Sequence, residues 1–329
     1  MNAQEELIRR LSIKRSRQLG SLSQEAFAEL ELAVRERPQD FVDDDAEQAF
    51  ATIAQALVRY EESRHDDDLL DDEQFLAARA SRLARLTASC NEALELDERC
   101  IDARLMALLA ADYAPDELMG SLLELDRRLE EMEGPIESGA TGDAWADVFA
   151  RPRLRVKAAL ARTCLDTARF SMARTYCEDL LAMAPFDTLG ARYTYVLVLA
   201  RLEDEEGFEW LDARERRKGN AWFHLSRVIL MYKLGRIPAA RRALRGYDQL
   251  CTGGAYILLQ PILMDTYMPD RPTFEAGSFM ESMLAAHEAE PIIADVPDFV
   301  AWACDQPGFY DSAVAYCQAN GFDWREPGM

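Results

Sequence analysis

The chain is poor in residues that do chemistry. Three histidines occur among 329 residues, at positions 65, 224 and 287, and none belongs to an H-E-x-x-H pair or a metal-spaced cluster. The seven cysteines, at 90, 100, 164, 177, 251, 304 and 317, contain no C-x-x-C pair. That argues against a zinc cluster, and their odd number argues against a full disulfide framework. Most sit in apolar helical surroundings, where cysteine behaves as a small hydrophobe, so a reducing cytoplasm is expected. There is no G-x-S-x-G elbow, no phosphate-cradling glycine loop and no dinucleotide fingerprint, so no cofactor is expected. No uncharged apolar run reaches the roughly 18 residues needed to cross a bilayer. The first residues also lack the apolar stretch of a signal peptide, and the expectation is a soluble protein with no membrane span.

What the chain does hold favours helix. Apolar residues make up 49%, enough for a continuous core, and Leu, Ala, Arg and Glu recur throughout. The 16 glycines and 13 prolines fall mostly where helical hairpins would turn. The formal charge of −22 is segregated: residues 151–250 carry 19 Lys/Arg against 12 Asp/Glu, a local +7, which leaves −29 for the rest. A field of that overall sign repels phosphate, so no nucleic acid is expected as partner.

Along the chain, the first 40 residues read as two helices around the break Leu19-Gly20-Ser21, the first basic and the second capped by Ser23. A helix over 45–64 follows. Six carboxylates then fall within eight residues in the stretch 65–73, which reads as a solvated linker. Calcium binding would need alternating ligands and a turn glycine, and neither is present. Helices are expected over 73–96, 101–111 and 115–133, then a turn-rich loop through 134–142. After the central region, an apolar helix interrupted by Pro261 is expected over 252–268, with shorter helices around 278–289, 297–304 and 310–320. The aromatic residues of the tail suit an end cap.

The centre is the most regular part. Ala173, Gly207 and Ala240 are small residues at intervals of 34 and 33, the period of a tetratricopeptide repeat. Alanine or glycine lets two helices cross closely, large residues fill the space between hairpins, and proline ends the second helix. Leu160, Ala161, Phe170, Leu181 and Pro185 fit one such unit, and Trp222, Leu225, Ser226, Gly235 and Leu244 fit another. The expected fold is all-α: an α-α superhelix, a tetratricopeptide-like solenoid with N- and C-terminal helical extensions. Its parts are an N-terminal helical region with acidic linker (1–75), helical repeats (76–270) and a C-terminal helical cap (271–329).

The run Ala93-Leu94-Glu95-Leu96-Asp97-Glu98-Arg99-Cys100-Ile101-Asp102-Ala103, followed by Arg151-Pro152-Arg153-Leu154-Arg155 and then the hairpins, resembles the suppression-of-tumorigenicity-seven-like group of tetratricopeptide proteins. In that group an A-L-x-L-D-P-x-C-x-D-A segment precedes R-P-Y-x-R-A; here Glu98 stands for the proline and Arg153 for the aromatic. The resemblance covers somewhat over half the chain. It implies a soluble, bacterial-type helical-repeat protein and carries no biochemical activity with it.

The functional expectation is a non-catalytic scaffold or adaptor for protein–protein interaction, whose groove of helical hairpins receives a protein or peptide, acidic or C-terminal. Counting along the first helix of each hairpin gives Arg155, Arg162, Arg192, Tyr195, Asn220, Phe223 and Arg227 as groove candidates. Guanidinium groups suit carboxylates because each grips two oxygens. Anchoring the third unit at Ala240 instead of Trp222 moves its register by two residues and removes Arg227. A variant has the acidic tail, 251–329, fold back on the basic repeats as cap or autoinhibitor. The rival is a metal-dependent enzyme built on the acidic loops. Homo-oligomerisation stays open.

Overall fold

The computed structural model describes every residue except Met1, Asn2, Ser21, Asp66, 138–140, Pro261, Leu263, Asp265, Thr266, Asp323 and 325–329, together with the side chain of Asp68. The expected linker, loop and helix break thus fall partly outside the described residues, at Asp66, 138–140 and Pro261. Among the described residues no strand occurs, and the protein is all-α. The chain divides into two compact units. Unit 1 comprises Met1–Ala159, Met183–Thr188 and Asp265–Arg271; unit 2 comprises Leu160–Ala182, Leu189–Met264 and Pro272–Met329.

Unit 1 holds α1 (Ala3–Leu19), α2 (Gln24–Glu36), α3 (Asp45–Glu62), α4 (Asp72–Leu96), α5 (Ile101–Ala110), α6 (Pro115–Glu133) and the first part of α7 (Arg151–Asp166). Several of these helices begin at a clear side-chain signal. Ser23 caps α2 and Asp44 caps α3, each oxygen accepting a backbone N–H of the first turn. Asp71 and Gln74 form a reciprocal capping box at α4, and Pro115 opens α6. Helices pack on the next in sequence, α1 with α2, α3 with α4, α4 with α5 and α5 with α6, while α1 touches α3 and α3 touches α5. Four-residue connections make α1–α2 and α5–α6 antiparallel. First helices therefore line up in one row.

The acidic stretch 65–73 is more than a solvated linker. Asp67 lies in a short 3-10 turn and accepts both guanidinium ends of buried Arg82, at 2.7 and 2.9 Å, and Asp71 caps α4. Asp67 and Asp71 thus find specific donors instead of merely repelling their neighbours.

Unit 2 holds the rest of α7, then α8 (Phe170–Met183, save its last residue), α9 (Ala191–Arg201), α10 (Glu205–Arg214), α11 (Ala221–Lys233), α12 (Ile237–Leu250), α13 (Gly254–Leu259), α14 (Phe279–Ala294), α15 (Phe299–Cys304) and α16 (Phe309–Asn320). The same pairing recurs: α9 with α10 and α11 with α12, with α9 against α11. Ala173 and Ala240 are fully buried, and a Cβ added to Gly207 would come within 2.8 Å of Leu199 on α9. The small residues thus stand at close approaches.

Two elements differ from the sequence expectation. The apolar helix expected over 252–268 is only six residues long, ending before Gln260. The residue ahead of a proline is disfavoured in the α conformation, and Gln260 precedes Pro261. Helix α14, expected to stop near 289, runs on through Pro291 to Ala294, because its buried stripe continues to Ile292.

Candidate partner-binding face

Six of the seven candidate groove residues lie in unit 2, and Arg155 lies in unit 1. Arg155 has no exposed surface. Its Nη2 donates to Glu6 Oε2 at 2.5 Å, Nη1 to Asp102 Oδ1 at 3.0 Å, and Nε to Asp270 Oδ1 at 3.1 Å. Arg10 donates to the same Glu6 and Asp102, at 2.7 and 3.0 Å, and Arg151 lies 3.3 Å from Glu6. Three guanidiniums thus face three carboxylates. Burial opposes the charge on Glu6, but Arg155, then Arg10 and Arg151, hold its carboxyl below the usual range. The site expected to grip a partner's carboxylate at Arg155 is already filled by the chain's own.

The candidates in unit 2 are also engaged. Arg192 lies over the Tyr193 ring, 4.3 Å from its centre, and its Nε is 3.4 Å from Glu215. The buried Tyr195 hydroxyl donates to Glu178 Oε1 on α8 at 2.7 Å. Asn220 caps α11, its Oδ1 accepting from the Phe223 amide, and Phe223 is buried against Phe208. Arg227 reaches Glu209 and Asp212 on α10, both at 2.8 Å, and covers Phe208. Tyr195 and Arg227 therefore turn toward the second helices of the hairpins. The register anchored at Ala240, which takes Arg227 off the groove, agrees with that direction. Arg162 is half-buried one turn before Asp166. Desolvation pushes the Asp166 carboxyl up to about 6, opposed by Arg162 and by His287 of α14 and helped by Glu288 and Glu290 of the same helix.

The row formed by α9 and α11 carries α14 on it. Trp222, nearly fully buried, stacks on Tyr193 with ring centres 4.3 Å apart, and its Nε1 donates to Glu288 Oε2 at 2.7 Å. Glu281 Oε2 accepts from the Ala221 amide in the first turn of α11 at 3.2 Å and from the Gly277 amide at 2.7 Å. A carboxylate is favoured there, where unpaired amides and the helix dipole present positive charge. Asp295, just past α14, pairs with Arg201 at the end of α9 at 2.5 Å. None of Glu281, Glu288 or Asp295 was among the sequence candidates. Their equal spacing of seven was the signal available.

Unit 1 has an open cleft of about 920 Å³ between the end of α4, α5 and α6, with Leu94, Ile101, Leu125, Leu129 and Met132 in its lining. Its rim charges are spent locally: Arg128 donates to Glu124, and Arg104 to the Glu98 carbonyl. Among the described residues no group of His, Cys, Asp and Glu has a metal-holding arrangement, and no helix is long and apolar enough to cross a membrane. No protein-family model, curated protein or solved structure matches this chain.

Proposed function

We propose that this protein is a tetratricopeptide-like adaptor, a solenoid of helical hairpins that holds a protein partner along the row of first helices in unit 2 and performs no covalent chemistry. The reading is supported by one observation above the others: α9 and α11 together seat a third helix, α14, from later in the same chain. A surface that holds one helix by buried contact and directed hydrogen bonds has the shape and donors to hold another. The Trp222 indole and the Arg201 guanidinium, which meet Glu288 and Asp295 on this face, favour an acidic partner. The spacing of Ala173, Gly207 and Ala240 and the pairwise packing of successive helices support the repeat reading.

Affinity purification of the full chain from its native cell, followed by crosslinking and mass spectrometry, tests it. Partner crosslinks are expected on residues of α9 and α11. Replacing Arg162→Gln with Arg192→Gln is expected to lower partner recovery while leaving the circular dichroism spectrum unchanged. Crosslinks confined to unit 1, or full recovery with the double variant, would remove the adaptor face from unit 2.

A further inference from the structure

Helix α14 has the pattern of a coiled-coil strand. Ser282, Ala285, Ala289 and Ile292 follow one another at intervals of three, four and three, and all four have no exposed surface. They occupy what a heptad repeat would call its two core positions. The residue before the first core position of each heptad is acidic: Glu281, Glu288 and, one heptad on, Asp295. Each acid has its own partner on the face beneath: the Ala221 amide donates to Glu281, the Trp222 indole donates to Glu288, and Asp295 forms an ion pair with Arg201. The small core residues let α14 approach α9 and α11 closely, and the acids fix its register. Recognition is thus divided between shape and three placed charges.

A second feature bears on permanence. Pro291 lies inside α14, where it removes the amide that would bond the carbonyl of residue 287 and crowds that turn. Proline is the worst helix former, so α14 carries a defect that a separate helix need not share. Its neighbours in the chain are also independently anchored. α15 and α16 pack on each other and on α13, with α16 also against α12, and Ser312 donates to Asp248 of α12 at 2.8 Å. These contacts hold α15 and α16 in place without α14, which for its part touches α13 and stacks Phe279 at its start on Tyr316 of α16, ring centres 5.5 Å apart.

We propose that α14 is a resident stand-in for a partner: the α9–α11 face recognises an amphipathic helix of a second protein that presents small or short apolar residues at both heptad core positions and carboxylates at i, i+7 and i+14, and α14 vacates the face to admit it. The proposal rests on the adaptor reading above and names the class of partner. Because a tethered helix competes at high effective concentration, the free protein binds such a partner with an affinity reduced by the fraction in which α14 is docked.

The test uses a fluorescein-labelled synthetic peptide spanning residues 276–297 with Pro291→Ala, titrated by fluorescence anisotropy against three full-length chains. Glu288→Lys in the chain weakens α14 docking and is expected to tighten peptide binding by about tenfold or more relative to wild type. Pro291→Ala in the chain strengthens α14 and is expected to weaken binding by about tenfold. A peptide with Glu281→Lys, Glu288→Lys and Asp295→Lys is expected to bind none of the three. Equal affinities for wild type and Pro291→Ala would overturn the proposal, and that pair decides the matter even if Glu288→Lys does not fold. Dimerisation of Glu288→Lys by light scattering would also overturn it, since the face would then take α14 from a second copy. If native partners crosslink to α9 and α11 equally in wild type and Pro291→Ala, this proposal fails while the adaptor reading stands.

Discussion

Arg155 keeps its charge where charge is expensive, because three carboxylates converge on one guanidinium. Removing one member of such a buried set leaves the others uncompensated, which typically costs about 3–5 kcal/mol. Glu6→Gln is therefore expected to lower unfolding free energy by about 3 kcal/mol, read as a fall in the urea midpoint with an unchanged slope. The same carboxyl sets a pH dependence. Its folded value lies below its unfolded value near 4.5, so its contribution is complete above that pH and is lost as pH falls through the folded value. Urea midpoints are expected to fall on acidification below about pH 4.5, and less steeply in Glu6→Gln than in wild type. Nothing local in the sequence marks Arg155 as buried. Its partners lie 149, 53 and 115 residues away, so spacing along α7 assigns it to a groove when tertiary contacts assign it to a core.

Among the elements, the best-read ones carry strong local signals. The helix over 115–133 starts on a proline and ends at a glycine, and the structure gives Pro115–Glu133. The small residues at the repeat interval are legible for the same reason, since close crossing tolerates little else. Gly207 shows how tight the fit is: an added Cβ would meet both Leu199 and the Asp204 carboxylate at 2.8 Å, and Asp204 caps α10 through the Gly207 amide. Gly207→Ala is expected to destabilise by about 1–2 kcal/mol in thermal or urea unfolding, although alanine is the better helix former by about 1 kcal/mol. Elements whose ends turn on a proline were the ones misread. α14 runs through Pro291 because Ile292 still has a buried seat, and α13 stops at Leu259, ahead of Gln260 and Pro261, where a longer helix was expected. The sequence placed groove candidates on α9 and α11, the helices of the proposed face, but Tyr195, Phe223 and Arg227 among them serve the packing of the helices themselves, which spacing along one helix does not reveal.

At the scale of the whole molecule, charge segregation and helix packing point the same way. A locally basic stretch lies within a chain of net charge −22, and in unit 2 its first-helix row is covered by a helix held through three acids at heptad spacing. Hydrogen–deuterium exchange of the full-length protein, with and without the 276–297 peptide carrying Pro291→Ala, tests most directly whether α9 and α11 receive a helix that α14 otherwise replaces. Saturating peptide is expected to speed exchange across α14 while α9 and α11 stay protected or become more so. Unchanged protection of α14, or loss of protection in α9 and α11 along with it, would contradict a face built to exchange one helix for another.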